Sequence, residues 1–229
     1  MNYTKTIVCL ANSRKISGRC IAGKEKTEQG FGGWIRPISN RPAGEISEDE
    51  RMYQNGDDPQ VLDLIEIPLF EYRPHYYQTE NHLLDDRYCW KKVGQVKRDE
   101  LHSLIDLVEG NLWVNGYSSY KGTNDRIPEE IANKLDNSLV LIQPEQLSIL
   151  VDTEGGEFGN AKRKVRAKFI LNNKQYKLAI TDPRIERAFL KKKDGQYPLL
   201  AQNIYMCLSI GEPYNGFCYK LAASLITSV

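Results

Sequence analysis

The chain has 229 residues, 41% of them apolar and 27% charged, and its 31 Lys and Arg nearly balance 30 Asp and Glu for a net charge of +1. That length can bury one large core or two small ones, and the near-neutral balance argues against a protein that coats nucleic acid non-specifically. No apolar run approaches the roughly 18 residues of a membrane span, and Thr4, Lys5 and Asn12 break any signal-peptide core, so the expected location is the cytoplasm.

The N-terminal elements are short and β-rich. KTIVCLANS, GRCIAGKE and GGWIRPIS read as three strands separated by turn signals, followed by an acidic, Gly- and Pro-bearing loop from Pro42 to Gln60. VLDLIEIPLFEY is a fourth strand, and together these predict a small barrel over residues 1–97. Residues 73–137 are mixed: an aromatic stretch (Tyr76, Tyr77, Tyr88, Trp90), a helix from Arg98 to Val108, LWVNG, and a short helix from Pro128 to Leu135. Residues 98–137 are therefore expected to form a helical connection.

The C-terminal part, 138–229, is more regular. Ser138–Val151 is rich in β-formers and carries a proline that marks an edge or bulge, and a polar, glycine-rich loop runs from Asp152 to Asn160. KRKVRAKFILNNKQYKLAITDP reads as a hairpin turned at Asn172-Asn173, since Asn tolerates positive φ. A helix follows, with Thr181 or Asp182 as cap, Pro183 in the first turn and Ile185, Ala188 and Phe189 on one face. Asn203–Ile210 and Cys218–Ile226 are strands joined by GEPYNGF. The order β-β-β-α-β-β is that of an OB-fold barrel. The predicted class is mainly β (α+β): two OB-fold-like small β-barrels with a partly helical connecting region.

Charge is unevenly distributed. Residues 1–40 hold seven Lys and Arg against two acids, residues 41–70 hold eight acids against two Arg, and residues 161–193 hold twelve Lys and Arg against two acids. The two basic blocks are either local anion-binding faces or solvated surface. Five cysteines (Cys9, Cys20, Cys89, Cys207, Cys218) form no CxxC pair, and Cys9, Cys20 and Cys207 lie in apolar strand-like runs, which reads as buried thiols. His75, His82 and His102 lack metal-ligand spacing. Neither a metal nor a cofactor is expected.

An OB barrel meets its ligand across strands 2 and 3 and the flanking 1–2 and 4–5 loops. In the C-terminal barrel that places Lys164, Arg166 and Lys168 on one strand face, with Tyr214 and Phe217 in the 4–5 loop as stacking surfaces; the plain alternative is a solvated strand and a core Phe217. Glu154, Glu157 and Glu212 in the same loops oppose a phosphate ligand. In the N-terminal barrel, SRKISGR (Ser13–Arg19) is a basic turn. Trp34 and Arg36 share one strand face, either as a stacking surface with an anion anchor or as a core Trp covered by an arginine stem. No nucleotide-loop, nucleophile-elbow or zinc-protease motif is present. The best acid candidates for catalysis are Asp182 and Glu212, each after a strand end, with the helix cap the favoured reading of Asp182.

Four segments, TIVCLANSRKISGRCIAG, GGWIRPIS, LAITDP and LSIGEPYNGFCYKLAASLI, together resemble a prokaryotic family described as carrying a dual OB-containing domain and found in phage-defence and other conflict gene clusters. The resemblance implies two OB barrels and a sensor or nucleic-acid- or nucleotide-binding component acting beside separate effectors. It carries over Ser13, Arg14, Arg19, Trp34, Arg36, Asp182, Glu212 and Lys220 as candidate binding positions. Three readings follow: a non-enzymatic nucleic-acid or nucleotide binder, a nucleotide- or RNA-directed hydrolase using Asp182 and Glu212, and an adaptor that docks an effector encoded nearby.

Overall fold

The computed structural model describes residues 2–199 and 204–227, without the side chain of Phe158. The chain divides into two compact units, Met1–Ile105 with Lys134–Leu139, and Asp106–Asn133 with Val140–Val229. Residues 98–137 are thus shared between the units. Among the described residues no helix is long and apolar enough to cross a membrane.

The first unit is built from β1 (Tyr3–Lys15), β2 (Gly18–Thr27), β3 (Gly30–Ile38), the short helix α1 (Glu48–Arg51), β4 (Asp63–Tyr72), β5 (Asn81–Leu84) and β6 (Lys91–Gln95). Strand order is β1-β2-β3-β5-β4, with β4 pairing back onto β1 to close a five-stranded barrel and β6 added along β4. All pairings are antiparallel except β3 with β5. A helix after the third strand and a parallel 3–5 pairing are the OB arrangement.

Closure depends on β1. Its first half pairs with β4 and its second half with β2, and a bulge between Cys9 and Ala11 bends the strand where the two ladders overlap. Gly23 sits at that bend, where an added Cβ would lie 2.0 Å from the Val8 carbonyl oxygen, so only glycine permits the approach. Ile7, Cys9, Ile21, Ile35, Ile65, Ile67 and Leu69 fill the interior, following the period-2 alternation of their strands.

The second unit contains β7 (Arg126–Pro128), α2 (Glu129–Ala132), β8 (Leu139–Ile142), β9 (Gln146–Glu154), β10 (Lys162–Leu171), β11 (Lys174–Ile180), α3 (Pro183–Leu190), β12 (Gly195–Pro198), β13 (Tyr205–Tyr214) and β14 (Phe217–Ile226). Its sheet runs β12-β9-β10-β11-β14-β13-β8, with β7 on β14. Within that path β9-β10-β11-β14-β13 repeats the OB order, again with a parallel pairing of third and fifth strands (β11 with β14) and a helix between third and fourth. Val165, Ala167 and Phe169 of β10 and Tyr176 and Leu178 of β11 lie in its core.

Several expectations change in detail. The predicted strand Ser138–Val151 is two strands, β8 and β9, separated around Pro144, whose ring removes a ladder donor. The helix expected over Arg98–Val108 is a 3-10 helix ending at Leu104, and that over Pro128–Leu135 shortens to four residues. The GEPYNGF loop contracts to Asn215-Gly216, with φ of 50° and 76°, because β13 and β14 run to its edges. Asn203, expected to begin a strand, lies outside the described residues.

Candidate nucleic-acid interface

Ile21 and Ile35 point into the first barrel, so the alternating positions on β2 and β3 face outward. On that outer face Lys24 is directly opposite Trp34 and Lys26 directly opposite Phe31. The Lys24 ammonium lies 5.6 Å from the Trp34 ring centroid and that of Lys26 lies 4.5 Å from Phe31. A register shift between the two pairs absorbs the extra residue on β3, so rings three positions apart match lysines two positions apart. Gly33 adds nothing above the backbone beside Trp34, where a Cβ would meet open space. Two cation-capped rings therefore line the strand 2–3 face that OB barrels use for ligands.

The energetics favour exchange. An exposed cation–π contact is worth roughly 0.5–1 kcal/mol, whereas a base stacked on an aromatic ring is worth about 1–3 kcal/mol. An arriving base can displace the lysine from the ring, and the displaced ammonium is then placed to meet the adjoining phosphate.

The remaining predicted residues of this unit separate into exposed and internal ones. Arg36 shares Trp34's side of β3 but is 2% exposed, and its guanidinium lies 3.0 Å from the Glu80 carboxylate and donates to Ser138 Oγ at 2.9 Å. The anion-anchor expectation for Arg36 is corrected: its charge is already matched inside the protein. Ser13 is also buried and donates to the Cys20 carbonyl at 3.4 Å, tying the hairpin to itself. Arg14 is exposed and faces half-buried Arg19 across the ladder. The Arg19 backbone exchanges two 2.9 Å hydrogen bonds with Ile46, which fixes the hairpin on the segment before α1.

A cleft of about 320 Å³ elsewhere in this unit is lined by Tyr53, Asn55, Asp57, Trp90, Lys91 and Lys92 among others. Its polar floor is internally matched: buried Asp63 accepts from the Tyr53 hydroxyl at 2.9 Å and pairs with Lys92 at 2.5 Å. Burial first, and the Asp63 bond second, hold the Tyr53 phenol far above its ordinary range.

In the second unit, Lys164, Arg166 and Lys168 do share the outer face of β10, but residues 117–126 lie across that face. Lys121 pairs with Asp152 of β9 at 3.3 Å, and the Tyr120 hydroxyl donates to Glu157 at 2.7 Å. Thr123 exchanges backbone hydrogen bonds with Lys177 of β11 at 3.2 and 3.0 Å. Arg166 is held by Glu154 through two bonds of 2.6 and 2.9 Å, with Asp125 a further 3.8 Å away. Of the three loop acids that argued against phosphate, Glu157 thus holds the strap and Glu154 is the counter-charge at Arg166.

Tyr214 is 67% exposed at the β13–β14 turn, whereas Phe217 is covered by the Arg126 guanidinium, 4.0 Å above its ring. Lys220, carried over as a binding residue, is 1% exposed and donates to the carbonyls of Leu112 and Val114 at 2.9 and 2.6 Å and to Asn115 Oδ1 at 3.2 Å. It is a clasp on residues 112–115. Desolvation pulls its ammonium down to about 7, opposed by the charge of Asp125.

The sign of the resulting pH dependence is fixed. With the folded value below that of a free lysine, the unfolded chain holds more protons between about pH 7 and pH 10, so stability rises with pH through that window. Below pH 7 the burial penalty is full. Lys220→Met is expected to flatten the rise, read as the denaturant midpoint at pH 7, 8.5 and 10; an unchanged slope rejects the assignment.

Asp182 is the N-cap of α3, 1% exposed, accepting from the Arg184 amide at 3.0 Å and the Leu225 amide at 3.3 Å. Glu212 is exposed on β13 opposite the far part of β14, between the Ile210–Lys220 and Pro213–Cys218 pairs. Six strand residues separate that level from Leu225, about 20 Å at ~3.3 Å per residue. The two carboxylates do not converge on one bond, which removes the geometric basis for the hydrolase reading.

Among the described residues no group of three or more His, Cys, Asp or Glu is arranged to hold a metal ion. All five cysteines are free thiols; Cys9, Cys207 and Cys218 are buried, Cys20 is half-buried and Cys89 is exposed. Lys24, Lys26 and Phe31 are the members of this candidate face that the sequence pattern did not single out. The Lys-x-Lys of GKEKT was a usable signal, but the register shift that brings Phe31 opposite it has no local signature.

The model of a family described as dual OB-containing domain matches residues 5–225 of this chain. Comparison with curated proteins and with solved structures found no match.

Proposed function

The chain belongs to the dual OB-containing domain family, and from that premise we propose that it is a non-enzymatic binder of single-stranded nucleic acid whose contacts lie on the first barrel. The observation that carries the reading is the pair of cation-capped rings, Lys24 with Trp34 and Lys26 with Phe31, on the outer face of β2 and β3. Lys15, opposite Gly18 at the end of β1 and on the same side of the hairpin as Lys24, extends the positive charge toward the 1–2 loop, the second place where OB barrels touch ligand. The second barrel serves a structural role, because its corresponding face is strapped by residues 117–126. A cytoplasmic sensor or adaptor in a prokaryotic phage-defence assembly is the role that fits such a module, with recognition here and the response in a separate effector.

Fluorescence anisotropy with labelled single-stranded DNA, single-stranded RNA and duplex DNA at 50 and 200 mM salt tests the reading. About four phosphate contacts on a single strand give a log–log salt slope of roughly −3, a loss of tens-fold over that range. The single strands are expected to bind more tightly than duplex, with that slope. Absence of binding, or binding insensitive to salt, overturns the proposal.

A further inference from the structure

The structural role of the second barrel belongs to its strapped face; the β13–β14 tip of the same barrel is open, with Tyr214 exposed. Three strands meet there. Tyr214 is directly opposite Phe217, and on the other side of β14 Pro128 and Arg126 of β7 are opposite Phe217 and Tyr219. Directly opposed residues share a face, and the buried pair Ile127 and Cys218 marks the reverse one. Tyr214, Phe217, Tyr219 and Arg126 therefore emerge together.

Arg126 is the unusual member. Arg51, Arg87, Arg163, Arg166 and Arg184 each meet a carboxylate within 3.1 Å. Among the described residues Arg126 has no such partner, and its Nε is buried without an acceptor. An orphaned buried donor works against stability, and packing on Phe217 does not supply the missing acceptor. Stacking at 4.0 Å occupies only the flat face of the guanidinium. Its in-plane N–H groups keep the fork that fits two oxygens of one phosphate.

The bare Tyr214 ring on the same face offers a base its π surface. The strand carrying Phe217, beneath the guanidinium, is one strand spacing from that of Tyr214, about 5 Å, within the reach of one nucleotide from base to phosphate. Glu212, two residues before Tyr214, and Glu129, whose amide donates to the Gly216 carbonyl at 3.0 Å, bring negative charge to the same tip. Those acids disfavour a long run of phosphates and admit a single one. Independently of the first barrel, we infer that the β13–β14 tip binds one nucleotide unit, its phosphate on Arg126 and its base on Tyr214. A free nucleotide and a nucleotide within a strand present that same chemistry.

The test follows the backbone amides of Tyr214, Gly216 and Arg126 in the full-length protein by heteronuclear NMR as adenosine 5′-monophosphate, adenosine or an oligo(dA) strand is added. Wild type is expected to bind the monophosphate about tenfold more tightly than adenosine, the effect of one charge-assisted phosphate contact. Arg126→Met keeps a stem over Phe217 and removes both the charge and the orphaned donor. It is expected to bind the monophosphate no more tightly than adenosine, with adenosine affinity within twofold and a thermal midpoint no lower than wild type. Tyr214→Ala should weaken both ligands about tenfold. Saturable shifts with the monophosphate support a free nucleotide as ligand. Shifts with oligo(dA) alone, abolished by Arg126→Met, support a nucleotide within a strand. Saturable but equal wild-type affinity for the monophosphate and adenosine overturns the site. An Arg126→Met variant with a lower midpoint and undiminished monophosphate binding also overturns it, making Arg126 a cover for Phe217. Absence of shifts with every ligand overturns it whatever the first barrel binds. Oligonucleotide binding lost in Trp34→Ala and kept in Tyr214→Ala then leaves the single-strand reading standing alone. Self-association of wild type that Tyr214→Ala abolishes, read by sedimentation, assigns the tip to a contact between copies and overturns the nucleotide site.

Discussion

Trp34→Ala is expected to weaken binding of a single-stranded oligonucleotide by about 5- to 150-fold, the loss of one base stack worth roughly 1–3 kcal/mol. The fold should survive, because the interior of the first barrel is made by Ile7, Cys9, Ile21, Ile35 and the β4 isoleucines, with Trp34 outside that cluster. Phe31→Ala removes the second ring and should cost less, since the ring is smaller and lies nearer the β2–β3 turn. Lys24→Ala separates the electrostatic part: it should lower affinity and reduce the salt slope by about 0.7, one phosphate contact on a single strand. Lys164→Ala, on the strapped second barrel, is the control and should change affinity less than twofold. Anisotropy titration with circular dichroism of each variant reads all four. A folded Trp34→Ala with wild-type affinity sinks the platform; an unfolded one makes Trp34 part of the core.

Much of the architecture is visible in the sequence because the strands carry their burial in alternation. Asp63, Ile65, Ile67 and Leu69 are buried in turn along β4, and Val165, Ala167 and Phe169 along β10. The turns of the second barrel are equally legible, Asn-Asn and Asn-Gly being chosen for positive φ. β5 escapes notice because all four residues of NHLL are buried, which leaves no alternation to read, and its partner β3 is in parallel register, reached only through tertiary structure. The site is harder. Alternation correctly puts Trp34 and Arg36 on one side of β3, but what covers Arg36 comes from Glu80 and from Ser138, 102 residues further on. The same holds for Arg166, whose exposure is decided by a strap from residues 117–126 and by Glu154. Local pattern fixes the side on which a side chain emerges, and only distant segments decide whether that side is solvent.

Arg36 is accordingly where the largest stability effect is expected. Its side chain and that of Glu80 are 3% and 4% exposed, Ser138 Oγ bonds to both, and the Arg36 amide donates to the Glu80 carbonyl at 2.8 Å. Removing one member of a buried pair strands the other charge in a closed site, at a cost of about 3–5 kcal/mol. Arg36→Ala is expected to lose that much stability, and Glu80→Leu a similar amount. Replacing both, as Arg36→Met with Glu80→Leu, should recover most of the loss, because no charge is then left buried without its partner. Trp34 and Trp90 lie in the first unit and Trp113 in the second, so a Trp113→Phe background lets denaturant unfolding followed by fluorescence report on the first barrel alone. Under conditions where each variant is still folded, oligonucleotide affinity should match wild type, since Arg36 reaches no ligand. Undiminished stability of Arg36→Ala together with lost affinity would reverse the assignment, making the pair a latch that opens to release Arg36 to a phosphate.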